Sequence, residues 1–179
     1  MNLFQYAESN TISLTDFRGL DTYIGYHYVE YTPAGHLFFI INDGPGGPAH
    51  GTTISGEPDG GFLISQPDKY ADFKLQSIRI KFSSLCEQEQ AEARLRTAER
   101  NYRLFHNHSN IYWGFTVNSN SLFHGIGNVA HIPLPNDPAA FFGNSAPPFY
   151  PGYNQATPPS NFGPAIHPIS PNRIAGSAP

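Results

Sequence analysis

The fold of this chain is decided by residues 22–41, which read TYIGYHYVEYTPAGHLFFII. The first part is rich in tyrosine, isoleucine and valine, and the second part is the most hydrophobic strand-like run of the chain. Both compositions favour β-strands. The intervening Pro33-Ala34-Gly35 has the composition of a short turn. The stretch therefore predicts a β-hairpin, in which Thr22 to Thr32 pairs with Gly35 to Ile41.

Further strands are predicted along the first 82 residues. Thr52 to Ser55 and Gly61 to Ser65 flank Glu57-Pro58-Asp59-Gly60, whose residue types are typical of a turn, so these segments predict a second hairpin. Lys74 to Phe82 alternates between apolar and polar side chains, as a half-buried strand does.

Two helices are predicted after the strands. Ser84-Leu85-Cys86-Glu87 has the pattern of a capping box, and an apolar stripe follows at helical spacing: Ala91, Leu95, Ala98 and Tyr102. A shorter helix is predicted from near Ser119 through Leu122 and Ile126. The fold class is therefore α+β, with an antiparallel sheet of about five strands packed against one long helix and one short helix.

The composition changes near Pro133. From there to Pro179 the sequence holds 12 of the 17 prolines and two charged residues, Asp137 and Arg173. Because proline lacks the backbone N–H and breaks helices and central strands, residues 146–179 are predicted to be a largely irregular tail. Residues 1–145 then form the folded domain, and little order is expected beyond Gln155.

Charge and cysteine content exclude several classes of protein. The 179 residues carry 10 Lys+Arg against 14 Asp+Glu, a net charge of −4, which argues against a nucleic-acid binder. No apolar run approaches the ~20 residues that span a bilayer, and Met1 to Phe17 lacks the pattern of a cleavable signal peptide. The single Cys86 excludes an internal disulfide and a zinc site built on several thiolates. We expect a soluble chain.

Two segments have residue types suited to catalysis: Gly35-His36 at a strand start, and Asn118-Ser119-Asn120-Ser121-Leu122-Phe123. A nucleophile needs a base within hydrogen-bond reach and donors for the developing oxyanion. Ser119 at a helix N-terminus would have free backbone N–H groups nearby, and His36 on a strand suits the base. The alternative is structural, because a Ser/Asn run before a helix is commonly an N-cap.

The order of a histidine on a strand, further strands, an amphipathic helix and an Asn-x-Asn segment opening a second helix resembles the circularly permuted papain-like proteins. These include the permuted NlpC-type domains and the lecithin:retinol acyltransferase-like enzymes. Gly35 to Ile41 matches their histidine strand, and Asn118 to Leu122 matches their nucleophile segment, with Ser119 where that group has cysteine. The serine form is similar to that of a bacterial branch, often attached to secreted toxins.

The resemblance implies a role for each matching residue. His36 would be the general base and Ser119 the nucleophile, with His50 or another polar group orienting the imidazole of His36. Asn118 and Asn120 would shape the substrate site. The implied activity is that of a hydrolase or acyltransferase, which acts on an amide or ester of a peptide, peptidoglycan or lipid through an acyl-enzyme.

The resemblance also implies a bacterial effector or toxin domain, exported by a specialised secretion system, with an immunity or delivery protein as partner. The alternative is a catalytically inactive papain-like binding domain whose Pro-rich tail captures a partner. A third interpretation is an adaptor domain of a larger assembly. We expect no cofactor and no metal, because the His106/His108 pair has no third ligand at evident spacing.

Overall fold

The computed structural model describes residues 20–43, 48–68, 76–144, 146–155 and 157–162. Within these residues the strands are β1 (Leu20–Tyr28), β2 (Gly35–Asp43), β3 (Thr52–Asp59), β4 (Phe62–Gln66), β5 (Ser77–Arg79) and β6 (Asn110–Ile111). The helices are α1 (Leu85–Phe105), α2 (Ser119–Val129) and α3 (Pro138–Phe142), and two 3-10 turns cover Pro48–His50 and Pro159–Phe162.

The six strands form one antiparallel sheet in the order β5-β1-β2-β3-β4-β6. The predicted α+β class is confirmed, and both predicted hairpins are present. Their turns differ from the prediction, because β1 ends at Tyr28 rather than Thr32 and β3 runs through Glu57-Pro58-Asp59, which leaves Gly60-Gly61 as the turn. The sheet has six strands rather than about five because β6, only two residues long, pairs with the edge of β4. So short a strand shows no periodicity in the sequence. The predicted strand from Lys74 is shorter in the structure, and its residues 74 and 75 lie outside the described part of the chain.

Strand β2 is buried on both faces. Leu37, Phe39 and Ile41 belong to the core that packs beneath the helices. Since successive side chains of a strand point to opposite faces, His36 and Phe38 lie on the other side of the sheet. Phe38 has no exposed surface and His36 has very little. Strands buried on both faces are apolar at nearly every position, which explains why β2 is the most hydrophobic run of the chain.

The helices cover one face of the sheet. Half of the predicted capping box of α1 is present: the hydroxyl of Ser84 accepts a hydrogen bond from the backbone N–H of Glu87, but the carboxylate of Glu87 accepts from the backbone N–H of Ser83 and not from that of Ser84. The predicted apolar stripe of α1 is fully buried. Arg94 ties α1 to α2 by donating from Nε to the carbonyl of Ala130, just beyond the end of α2. Within the described residues, no helix is both long and apolar enough to cross a membrane.

The Pro-rich segment crosses the domain as a strap, which we define as residues 146–162. Its described residues form one 3-10 turn and a single β-bridge between Phe149 and Ala34. The side chains of Tyr150, Tyr153 and Phe162 lie in the core. Little order was predicted beyond Gln155, yet Phe162 is 1% exposed and contacts Tyr102. A buried aromatic ring fixes this stretch without any regular structure. Residues 163–179 of the predicted tail lie outside the described part of the chain.

Candidate functional site

The start of α2 is a complete helix cap. The side chain of Asn118 accepts hydrogen bonds from the backbone N–H groups of Asn120 and Ser121, and the hydroxyl of Ser121 accepts one from the backbone N–H of Asn118. The N-cap interpretation of this run is therefore confirmed. It also means that these backbone N–H groups already have partners, so the cap leaves neither of them free for an oxyanion.

Asn120 holds α2 in a gap of the sheet. Strand β3 pairs with β2 only as far as Ile54 and then turns to pair with β4. In the gap, the side chain of Asn120 accepts a hydrogen bond from Leu37 N at 2.9 Å and donates one to Gly35 O at 2.8 Å. It thereby satisfies backbone groups that a neighbouring strand would otherwise satisfy.

The amide nitrogens of Asn118 and Asn120 both donate to the carbonyl of Pro151 in the strap, and Asn118 also donates to Gly114 O. Both residues were predicted to shape a substrate site. In the structure their side-chain amides are engaged by the protein itself, where they join α2, the sheet and the strap.

The structure does not bring Ser119 and His36 together, although they were predicted to form a nucleophile–base pair. Ser119 lies on the helix side of the sheet. It packs so closely on β3 that a Cβ atom added to Gly56 would stand 2.9 Å from the Cα of Ser119. Its hydroxyl is 3.5 Å from that of Tyr112. His36 leaves β2 on the opposite face. The physical reason is strand alternation: Leu37, not His36, points toward α2.

His50, predicted to orient His36, ends the 3-10 turn after β2, and its side chain lies outside what the structure describes. The next residue, Gly51, packs against Ile40 and Ile41. These positions are at least four residues along β2 from His36, or about 13 Å at ~3.3 Å per residue. The backbone of His50 is thus at the other end of the strand.

His36 instead belongs to a polar cluster on the outer face of the sheet, which we call the histidine–acid cluster: His27, His36, Ser55, Glu57 and Asp68. The Nε2 atom of His36 lies 2.6 Å from the hydroxyl of Ser55 and 3.3 Å from Oδ2 of Asp68. It is 3.6 Å from Oε1 of Glu57.

His27 is the second imidazole of the cluster. It stands opposite His36 in the β1–β2 register, and its Nε2 lies 3.1 Å from the same Oδ2 of Asp68. Its Nδ1 lies 2.9 Å from the carbonyl oxygen of Tyr28. Because a carbonyl can only accept, Nδ1 carries a proton. If the ring of His27 is neutral, its Nε2 atom carries a lone pair that faces Oδ2 of Asp68. Because two lone pairs repel, this contact needs either a second proton or a cation between the two atoms.

Burial makes this cluster electrostatically sensitive. The side chain of Asp68 has no exposed surface, and that of Glu57 is 16% exposed. Burial raises the pKa of Glu57 above its usual value, and the charge of Asp68 adds to this, while the neighbouring His36 and His27 oppose it. Burial alone would lower the pKa of His27. Its hydrogen bonds to Asp68 and to Tyr28 O, together with the negative charges of Asp68 and Glu57, outweigh the effect of burial, so the pKa of His27 is raised.

The cluster has the donor set and the spacing of a metal site. Nε2 of His27, Nε2 of His36 and one carboxylate oxygen of Asp68 all lie within 4.8 Å of one another. Ligands bound tetrahedrally at ~2.0–2.2 Å are separated by about 3.3–3.6 Å, close to the 3.1 to 3.6 Å between each imidazole and its carboxylates. A metal-ligating histidine usually donates a hydrogen bond from its other ring nitrogen to a carboxylate or a backbone carbonyl, as Nδ1 of His27 does to Tyr28 O.

Sequence reasoning missed His27, Ser55, Glu57 and Asp68. One usable signal for His27 was the pairing register of the predicted hairpin. When its turn is centred between Tyr31 and Thr32, His27 on β1 pairs with His36 on β2. Asp68 gave no signal, since it follows β4 and is fixed by a hydrogen bond from its backbone N–H to the hydroxyl of Thr53.

Two sites are thus separated by the sheet: the histidine–acid cluster on the outer face, and the start of α2 with Ser119 on the helix face. Comparison of the chain with protein-family models, with curated proteins and with solved structures finds no match.

Proposed function

We propose that this domain binds a divalent transition-metal ion, with zinc as the best fit, through Nε2 of His27, Nε2 of His36 and Oδ2 of Asp68. Oε1 of Glu57 supplies the fourth ligand. The observation that carries the proposal is the convergence of two imidazole nitrogens on one buried carboxylate oxygen, with the protonated nitrogen of His27 turned away toward a carbonyl. Imidazole and carboxylate together suit zinc among the common divalent ions.

The charges of the cluster support a bound dication. Two carboxylates lie in a region where one of them is fully buried, and a buried charge is costly unless it is paired or coordinates a metal. Two neutral imidazoles and two carboxylates would leave a zinc site electrically neutral. Ser55, whose hydroxyl is 3.5 Å from Glu57 Oε1, can then donate to that carboxylate rather than to His36.

Access also favours a small ion. The side chains of His27 and Glu57 are each 16% exposed and form the open side of the cluster. The hydroxyl closest to His36 belongs to Ser55, which is 2% exposed. So small an exposed surface suits a single ion better than an ester or amide substrate.

The order of elements along the chain still supports the papain-like frame that the resemblance implies: a histidine strand, a long helix and then an Asn-Ser-Asn helix. Within that frame we favour the binding domain over the hydrolase. A hydrolase acting through Ser119 and His36 requires both side chains on one face of the sheet, and strand alternation directs them to opposite faces.

A second interpretation of the same contacts needs no metal. A proton shared between His27 and Asp68, together with a hydrogen bond between Ser55 and His36, would also satisfy the cluster. The two interpretations differ in one measurable property, which is saturable metal binding.

The test is isothermal titration calorimetry of the chelator-treated protein with zinc chloride. We expect one zinc ion per chain, and at least a tenfold loss of affinity in His27→Gln and in Asp68→Asn. The matched control is His108→Gln, because His108 forms an exposed pair with Asp59 at 2.8 Å outside the cluster. Binding that is absent in the wild type, or that survives in Asp68→Asn but falls in His108→Gln, overturns the proposal.

A further inference from the structure

We propose a second binding site, independent of the metal: the cavity at the start of α2 takes the apolar chain of an uncharged amphiphile. The cavity has a volume of about 470 Å³. It lies between the β1–β2 turn, the loop that follows β6, the first residues of α2 and the strap. This volume is within the ~300–1,000 Å³ usual for small-molecule sites.

The walls of this cavity are apolar and its floor carries two hydroxyls. Val29, Pro33 and Phe149 contribute to the walls, and none of the described residues that line it is charged. The hydroxyls of Ser119 and Tyr112 lie 3.5 Å apart, at the outer limit of a hydrogen bond. Both can therefore turn toward an oxygen of a ligand.

The contacts around the cavity exclude other ligand classes. An extended peptide would need free strand-edge groups, but Gly35 O and Leu37 N are already bonded to Asn120. A sugar needs many polar partners, and the side-chain amides of Asn118 and Asn120 are engaged elsewhere. A charged ligand would find no countercharge among the residues that line the cavity. The ligand class that suits these contacts is an apolar chain with one ester, amide or alcohol group.

The mouth of the cavity is rimmed by exposed aromatic side chains. Phe115 and Phe149 line it and are 81% and 44% exposed, and Trp113 in the loop of Phe115 and Tyr31 in the β1–β2 turn are also exposed. Exposed aromatic side chains at the mouth of a cavity indicate a site that is covered in use. Neither the β1–β2 turn nor the loop after β6 contains Lys or Arg, so nothing at the mouth attracts an anionic head group.

Trp113 allows a direct test because it is the only tryptophan of the chain. We expect its emission to shift to shorter wavelength, saturably, when the protein is titrated with a medium-chain monoacylglycerol below its critical micelle concentration. A titration that gives no saturable shift overturns the proposal. The same titration in the presence of a metal chelator should be unchanged, which keeps this result separate from that of the zinc experiment.

Matched variants locate the ligand. Phe115→Ser should weaken binding several-fold, whereas Phe105→Ser, a similarly exposed phenylalanine at the end of α1, should not. Ser119→Ala combined with Tyr112→Phe removes both hydroxyls and should cost about tenfold in affinity, the worth of one hydrogen bond to the ligand. Ser109→Ala, an exposed serine outside the cavity, is its control. Equal effects in variants and controls, or full binding without the two hydroxyls, contradict this assignment.

Discussion

His27 and His36 face each other across β1 and β2, and their imidazole rings stack with centroids 4.6 Å apart and planes inclined by 18°. Their Nε2 atoms lie 3.1 and 3.3 Å from the same carboxylate oxygen of Asp68. A dication bound by both rings would neutralise Glu57 and Asp68. The stacked pair is therefore the structural basis of the proposed metal site.

Zinc should stabilise the folded protein, because the site is assembled only when β1, β2, β3 and the segment after β4 come together. At a zinc concentration one hundred times the dissociation constant, the expected gain in the free energy of unfolding is about 2.7 kcal/mol. Thermal denaturation with added zinc and with added chelator measures it. A melting temperature that responds equally to magnesium, or does not respond to either ion, contradicts the prediction.

Without metal, the contribution of the histidine–acid cluster to the free energy of unfolding should fall as the pH rises. The folded state raises the pKa of Glu57 above 4.5 and that of His27 above 6.5, so it holds both protons more tightly than the unfolded chain does. Their stabilisation is complete below those values and is lost as the pH passes through the folded pKa of each group. Urea denaturation of the chelator-treated protein across this range measures the slope.

The variant His27→Gln separates the two contributions to that slope. It should remove the part of the pH dependence that begins near pH 6.5 and, because the charge of His27 no longer opposes it, raise the pKa of Glu57 further. The control His108→Gln should leave both parts unchanged. A pH dependence that is the same in His27→Gln as in the metal-free wild type would show that the cluster does not hold these protons.

Replacing Asn120 should destabilise the fold strongly. Asn120→Ala leaves Leu37 N and Gly35 O without their side-chain partner inside the gap between β2 and β3. The expected loss is about 2–6 kcal/mol, from ~1–3 kcal/mol for each of these two unsatisfied buried groups. Asn128→Ala, on an exposed position of the same helix, is the control and should change the free energy of unfolding by less than ~0.5 kcal/mol. Equal effects would show that Asn120 does not anchor α2.

The strap should contribute to stability as far as Phe162. Phe162 is almost fully buried beside Tyr102, so Phe162→Ala should cost about 3–5 kcal/mol. Phe115→Ala, at an exposed position, should have little effect. Urea denaturation monitored by circular dichroism measures both. A small effect at Phe162 would mean that the folded unit ends before this residue, as the proline content of the sequence suggested.

Much of the fold follows from local sequence patterns. The composition of residues 22–41 predicts the central hairpin, although its turn covers residues 29–34 and not Pro33-Ala34-Gly35. The caps at Ser84 and Asn118 fix where α1 and α2 begin. These signals are local, so each can be recognised without knowing the rest of the structure. The strap was harder to predict, because Tyr150 and Phe162 are held by distant partners and not by any regular backbone pattern.

The candidate site was harder still, for a physical reason. His36 begins a strand whose side chains are apolar on both faces, so hydrophobic alternation does not show which face it occupies. A shift of one residue would have sent it toward Ser119 instead of Ser55. Asp68, which is 41 residues beyond His27, reaches the cluster only through the arrangement of the sheet.

A metal ion bound between His27, His36 and Asp68 would be visible in a crystal structure of the zinc-loaded protein, with anomalous scattering collected at the zinc edge. We expect one anomalous peak at ~2.0–2.2 Å from Nε2 of both histidines and from a carboxylate oxygen of Asp68. A cluster without such a peak, or zinc bound only at the exposed pair of His108 and Asp59, would contradict it.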